Sequence, residues 1–135
     1  MKSGLLLTAL LLSLGIAAAA QQETKLPEWM EAASQNVGRL ALSIQYKETA
    51  EAASAAQDLQ EIFDAVSQFF KEKNSAGAAK YASDARAGFR KVEELLAAGQ
   101  LDEAYQTMQA TRGNCENCHN EHRERAADGS YRIKF

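Results

Sequence analysis

The 135-residue chain has one proline, one tryptophan, two histidines and two cysteines. With Pro27 as the only proline, nothing after it forbids long helices. No β-branched alternating run of strand length occurs, and the chain is rich in Ala, Glu, Gln and Lys, so helix is the default expectation. The formal net charge is only −3, without the basic excess that a nucleic-acid partner would require. Outside the N-terminus, no segment is apolar enough to cross a bilayer.

The N-terminus is different. Lys2 is followed by an apolar run from Leu5 to Ile16, then Ala17 to Ala20, then the polar Gln21-Gln22-Glu23. That order describes a secretory signal peptide over residues 1–20, with an Ala-x-Ala site at Ala18-Ala19-Ala20. A retained membrane anchor is the rival, but its apolar core is short for a span of about 20 residues. Cleavage leaves 115 residues, residues 21–135, enough for one modest domain. Lys2 is the only charge removed, so the mature balance becomes −4. The expected location is a bacterial periplasm.

Four amphipathic segments follow. The first starts near Pro27, suited to a first helical turn, and carries Leu26, Met30, Ala33, Val37, Leu40, Ala41 and Ile44 at 3–4 spacing. The second runs from about Thr49 to Lys73, with Leu59, Ile62, Phe63, Val66, Phe69 and Phe70. After a break at Asn74-Ser75-Ala76-Gly77, the third carries Tyr81, Ala85, Gly88, Phe89, Val92, Leu95 and Leu96 and ends at Gly99 as a C-cap. The fourth opens at Leu101 or Asp102 and carries Ala104, Tyr105, Met108, Thr111, Cys115, Cys118 and His119. Long helices joined by short loops predict an all-α, antiparallel, up-down-up-down four-helix bundle. The tail from Asp128 to Phe135 is expected to leave the last helix.

Both cysteines fall in Cys115-Glu116-Asn117-Cys118-His119. Cys-x-x-Cys-His is the attachment pattern for one covalent haem c, with two thiols for the vinyl groups and a histidine for iron. On a helix, Cys118 and His119 lie about 60° and 40° from Cys115, so all three share a face. A disulfide-exchange site would instead ride on a strand–helix unit, and none is patterned here. Zinc held by Cys115, Cys118, His119 and His122 is the less trivial rival. Those four span about 10 Å of helical rise, too far for bonds of roughly 2.0–2.3 Å without unwinding the helix.

With His119 as the proximal iron ligand, the distal one must come from another helix. The mature chain offers two methionines. Met108 precedes His119 on the same helix by roughly 16 Å of rise. Met30 lies near the start of the first helix, which an antiparallel bundle places beside the end of the fourth. Spacing alone leaves Met30 equally readable as a core residue or a ligand.

Three local matches add to this. Leu26-Pro27-Glu28-Trp29-Met30-Glu31, Ala97 to Ala104, and Cys115 to His119 with Arg123 four residues on resemble segments of the four-helix-bundle (class II) cytochromes c. These are the cytochrome c′ family and its low-spin Met/His branch, and the resemblance covers nearly the whole mature length. It implies His119 and Met30 as axial iron ligands and places Arg123 beside the haem on the proximal side. His122 departs from the pattern, which expects an aromatic residue there. It lies on the motif face, although a histidine near a helix end is more often solvated. Phe63, Phe69, Phe70 and Phe89 are candidates to shield the ring, and Arg112 and Arg125 to neutralise its propionates.

Such a protein is expected to be a single-electron carrier and not an enzyme, meeting periplasmic redox partners through brief contacts, with homodimerisation open. The alternative is a five-coordinate, c′-like protein that binds or senses a diatomic gas such as NO or CO. A peroxidase is weaker still, because His119 and His122, the only histidines, both sit on the proximal helix and leave no distal base.

Overall fold

The computed structural model describes residues 25–135. The expected signal peptide, residues 1–20, lies outside them. Four helices follow in order: α1 over residues 25–45, α2 over Thr49–Glu72, α3 over Ala76–Ala97 and α4 over Leu101–His122. Among the described residues, no helix is long and apolar enough to cross a membrane.

The three connections share one device. After α1, Lys47 takes φ 60°, its N–H donates to the Ile44 carbonyl, and the Glu48 N–H donates to that of Ser43. Asn74 (φ 56°) with Ser75, and Gly99 (φ 73°) with Gln100, repeat the pattern after α2 and α3. Each is a Schellman ending, in which a left-handed residue turns the chain and satisfies two orphan carbonyls. Gly99 takes the role its sequence position suggested. The next helix starts directly afterwards, so each helix must fold back along its predecessor.

Cross-helix pairs confirm the direction. Arg39 on α1 bonds Asp58 on α2 at 2.8 Å and Glu51 at 3.2 Å, and Trp29 meets Phe69 edge-on at 6.4 Å. From α2 to α3, Asp64 pairs with Arg86 at 2.8 Å, while buried Ser67 donates to the Ala79 carbonyl at 3.1 Å. From α3 to α4, Gly88 faces Thr111 and Tyr81 donates to Glu121 at 2.6 Å. In every pair one residue number rises as the other falls, which is antiparallel packing. The bundle expected from the sequence is the bundle observed.

Its core runs through Leu40, Leu59, Phe69, Phe89, Val92, Leu96 and Met108, all essentially without solvent contact. Alanines on α2 (Ala52, Ala55, Ala56) and α3 (Ala78, Ala79, Ala82, Ala85) let those two helices approach closely.

The C-terminus differs from expectation. Helix α4 stops at His122, five residues before the predicted tail, and Arg123 is already extended (φ −125°, ψ 130°). Strand β1 (Arg123–Arg125) pairs antiparallel with β2 (Tyr131–Ile133), Arg123 opposite Ile133 and Arg125 opposite Tyr131. A five-residue loop, residues 126–130, joins them, with Gly129 at φ 84° and the Ser130 N–H and hydroxyl both held by the Asp128 carboxylate. The reason α4 ends is competition from the returning C-terminal segment. The Lys134 N–H takes the His122 carbonyl at 2.8 Å, and a continuing helix would need that acceptor for its own ladder.

Candidate functional site

The end of the bundle that gathers the start of α1, the end of α2, the start of α3 and the end of α4 contains a cavity of about 960 Å³. That lies at the upper end of small-molecule pockets, roughly 300–1,000 Å³. Helix α1 supplies one long wall through Met30, Ala33, Ser34, Val37, Gly38 and Ala41, positions that recur every three or four residues. Helix α4 supplies the opposite wall, including Cys115, Cys118 and His119. Phe63, Val66 and Phe70 of α2 and Tyr81, Ala82 and Ala85 of α3 close the interior.

Cys115, Cys118, His119, Met30 and Arg123, all singled out in the sequence, therefore line one space. The motif lies wholly within α4, so the three donor side chains share a face, as the helical geometry requires. Met30 comes from the other side, on α1. Of the four phenylalanines, Phe63 and Phe70 reach the cavity, whereas Phe69 and Phe89 back them up in the core; Phe89 stacks on Phe63 at 5.7 Å. Met108, fully buried, also contributes to the wall, about two helical turns before Cys115 on α4.

The donor groups are half-buried, and that sets their protonation. Burial, then the neighbouring Cys115 and Glu121, push the Cys118 thiol up to about 11. Burial also raises Cys115, outweighing the opposing pull of Arg112. Both are free thiols, and burial favours their protonated form. Burial lowers His119, helped by the charge of Arg123. A neutral imidazole keeps a nitrogen lone pair available to a metal. Among the described residues, no three His, Cys, Asp or Glu side chains gather into a metal-holding group.

His122 is not solvated. Its Nδ1 lies 3.1 Å from the Lys134 carbonyl, its ring meets Tyr81 edge-on at 6.3 Å, and its side chain is 17 % exposed. It packs against α3 at Gly77, where a Cβ would come within 3.0 Å of Nε2.

The C-terminal hairpin was not anticipated as part of the site. Tyr131, Arg132, Ile133 and Phe135 line the cavity, and Phe135 rests on Phe69 and Phe70 at 6.4 and 6.3 Å. Arg123 lies over the Tyr131 ring at 4.2 Å. Arg125 does not reach the cavity; it donates to the Tyr131 hydroxyl at 3.2 Å. The signal for this wall was present: Tyr131, Ile133 and Phe135 alternate with polar residues behind an Asp-Gly turn. Set beside known proteins, the chain matches no family model, no curated protein and no solved structure.

Proposed function

We propose that the chain is an exported monohaem c-type cytochrome of the four-helix-bundle kind, a single-electron carrier with His119 and Met30 as axial iron ligands. The observation that carries this reading is the convergence of two thiols, one imidazole and one thioether on a single apolar cavity of about 960 Å³. The donor set fits haem c. Cys115 and Cys118 would tether the ring, and His119 would ligate iron from the same helix face. Met30 faces the cavity from α1, the side from which a distal ligand must come.

A haem bound there supplies a one-electron iron couple whose potential a thioether ligand raises. The chain's own residues do the rest. His119 offers a neutral nitrogen, and Phe63, Val66, Phe70 and Ala85 exclude water from the interior. Because Met30 and His119 belong to separate helices locked in one bundle, both are held in place whichever charge the iron carries. Traffic with periplasmic redox partners needs only small, short-lived interfaces.

The test is covalent retention. The full chain, exported from a host carrying a cytochrome c maturation system, is denatured and weighed intact. The expected mass is that of residues 21–135 plus one haem, with no haem retained in the Cys115→Ala/Cys118→Ala double variant. A bare chain under the same conditions contradicts the proposal.

A further inference from the structure

Three arginines line the cavity: Arg112 and Arg123, flanking the Cys-x-x-Cys-His segment, and Arg132 on β2. Against them stands one lining carboxylate, Glu116. None of the three arginines is ion-paired with a carboxylate of the described residues. Arg112 donates to the Gln109 amide at 3.2 Å, Arg123 rests on the Tyr131 ring, and Arg132, opposite Glu124 on the ladder, makes no side-chain hydrogen bond among the described residues. Elsewhere on the bundle, Arg39 and Arg86 each hold an aspartate at 2.8 Å. An apolar cavity edged by arginines that hold no described carboxylate at ion-pair distance is suited to a ligand that is apolar in its body and anionic at its rim.

We propose that the C-terminal hairpin is the anion-recognising wall of this cavity, with Arg132, which lines it from β2 opposite Glu124 and one position from the Arg123–Ile133 pair, taking the carboxylate arms of a porphyrin. The proposal rests on the haem reading above and deepens it. The ladder explains why a hairpin is needed. Arg123 pairs with Ile133, which is anchored on the core, and the next pair, Glu124 with Arg132, holds the Arg132 backbone one residue beyond Arg123, close to the end of the motif helix. Contacts of Phe135 with Phe69 and Phe70 fix the far end of the strand to α2. Arg132 is thus presented on backbone secured at both ends, and a planar guanidinium can grip a carboxylate with two parallel bonds.

The test uses the full chain made without a maturation system, titrated with protoporphyrin IX and with its dimethyl ester, which has the same ring but no charged arms. Quenching of Trp29, the only tryptophan, reads binding. The expected result is that the free acid binds roughly tenfold or more tightly than the ester. In Arg132→Gln that ratio falls toward one while ester affinity is unchanged, which shows the cavity intact. Arg125→Gln, an equal loss of charge on the hairpin outside the cavity, keeps the wild-type ratio. Equal affinities in the wild-type chain, or an unchanged ratio in Arg132→Gln, overturn the clamp and leave the haem reading standing. A parallel loss of both affinities in Arg132→Gln assigns the residue to building the wall and likewise overturns the clamp. Failure of both porphyrins to bind the wild-type chain overturns the haem reading itself.

Discussion

His122 and Lys134 hold each other at two points: the Lys134 N–H donates to the His122 carbonyl at 2.8 Å, and His122 Nδ1 meets the Lys134 carbonyl at 3.1 Å. A carbonyl only accepts, so Nδ1 carries the proton. The clasp closes the C-terminal hairpin onto the end of α4. His122→Ala removes the side-chain half of it, costing about 1 kcal/mol. Amide exchange at Lys134 is then expected to quicken by roughly fivefold while the α2–α3 core keeps its protection. Unchanged exchange at Lys134 would assign the hold entirely to Ile133 and Phe135.

Gly88 and Thr111 set the spacing of α3 and α4. A Cβ on Gly88 would lie within 3 Å of three Thr111 side-chain atoms, closest to its hydroxyl oxygen. Thr111 is itself buried, and its hydroxyl donates to the Thr107 carbonyl at 2.7 Å. Gly88→Ala gains helix propensity of up to about 1 kcal/mol, yet the overlap is expected to dominate with a net loss of about 1–3 kcal/mol. Adding Thr111→Ala recovers only part of it, because the Thr111 Cβ is one of the close atoms. Urea unfolding of both variants measures this. A more stable Gly88→Ala protein would show that the helices can shift apart freely.

Lys47 adopts the left-handed conformation that glycine adopts at the equivalent place, Gly99. An ordinary side chain there costs about 1 kcal/mol. Lys47→Gly is therefore expected to raise the urea midpoint and Gly99→Ala to lower it. Since Lys47 is exposed and makes no core contact, an unstable Lys47→Gly protein would point to strain elsewhere in the α1–α2 turn.

The helices were legible because their stripes and turns agree. Gly99 marks one turn, and the Leu26-to-Ile44 and Leu59-to-Phe70 stripes mark the buried faces. Lys47 carries no such mark, and that turn was inferable only from the change of phase between stripes. The motif face of α4 was legible too, since helical geometry alone aligns Cys115, Cys118 and His119. The end of α4 was not. No proline or glycine interrupts residues 119–127, and the helix yields there to backbone pairing with a partner strand about ten residues away. The sequence put His122 on the motif face, where it does line the cavity, but left its burial open for the same reason: what buries it is Gly77 of α3 and the returning tail, both distant in sequence. The hairpin left a weak signal, Tyr131, Ile133 and Phe135 alternating behind Asp128-Gly129, but so short a strand says nothing of the cavity it lines.

The most direct test of the central claim is the visible absorption spectrum of the matured protein, oxidised and reduced, with and without carbon monoxide, alongside Met30→Ala. With His119 and Met30 both on iron, the spectrum is low-spin, shows the far-red methionine–iron band and does not respond to the gas. Met30→Ala then loses that band and begins to respond. A high-spin wild-type spectrum that shifts with carbon monoxide would contradict the account, leaving Met30 as wall packing and the cavity as a gas-binding site.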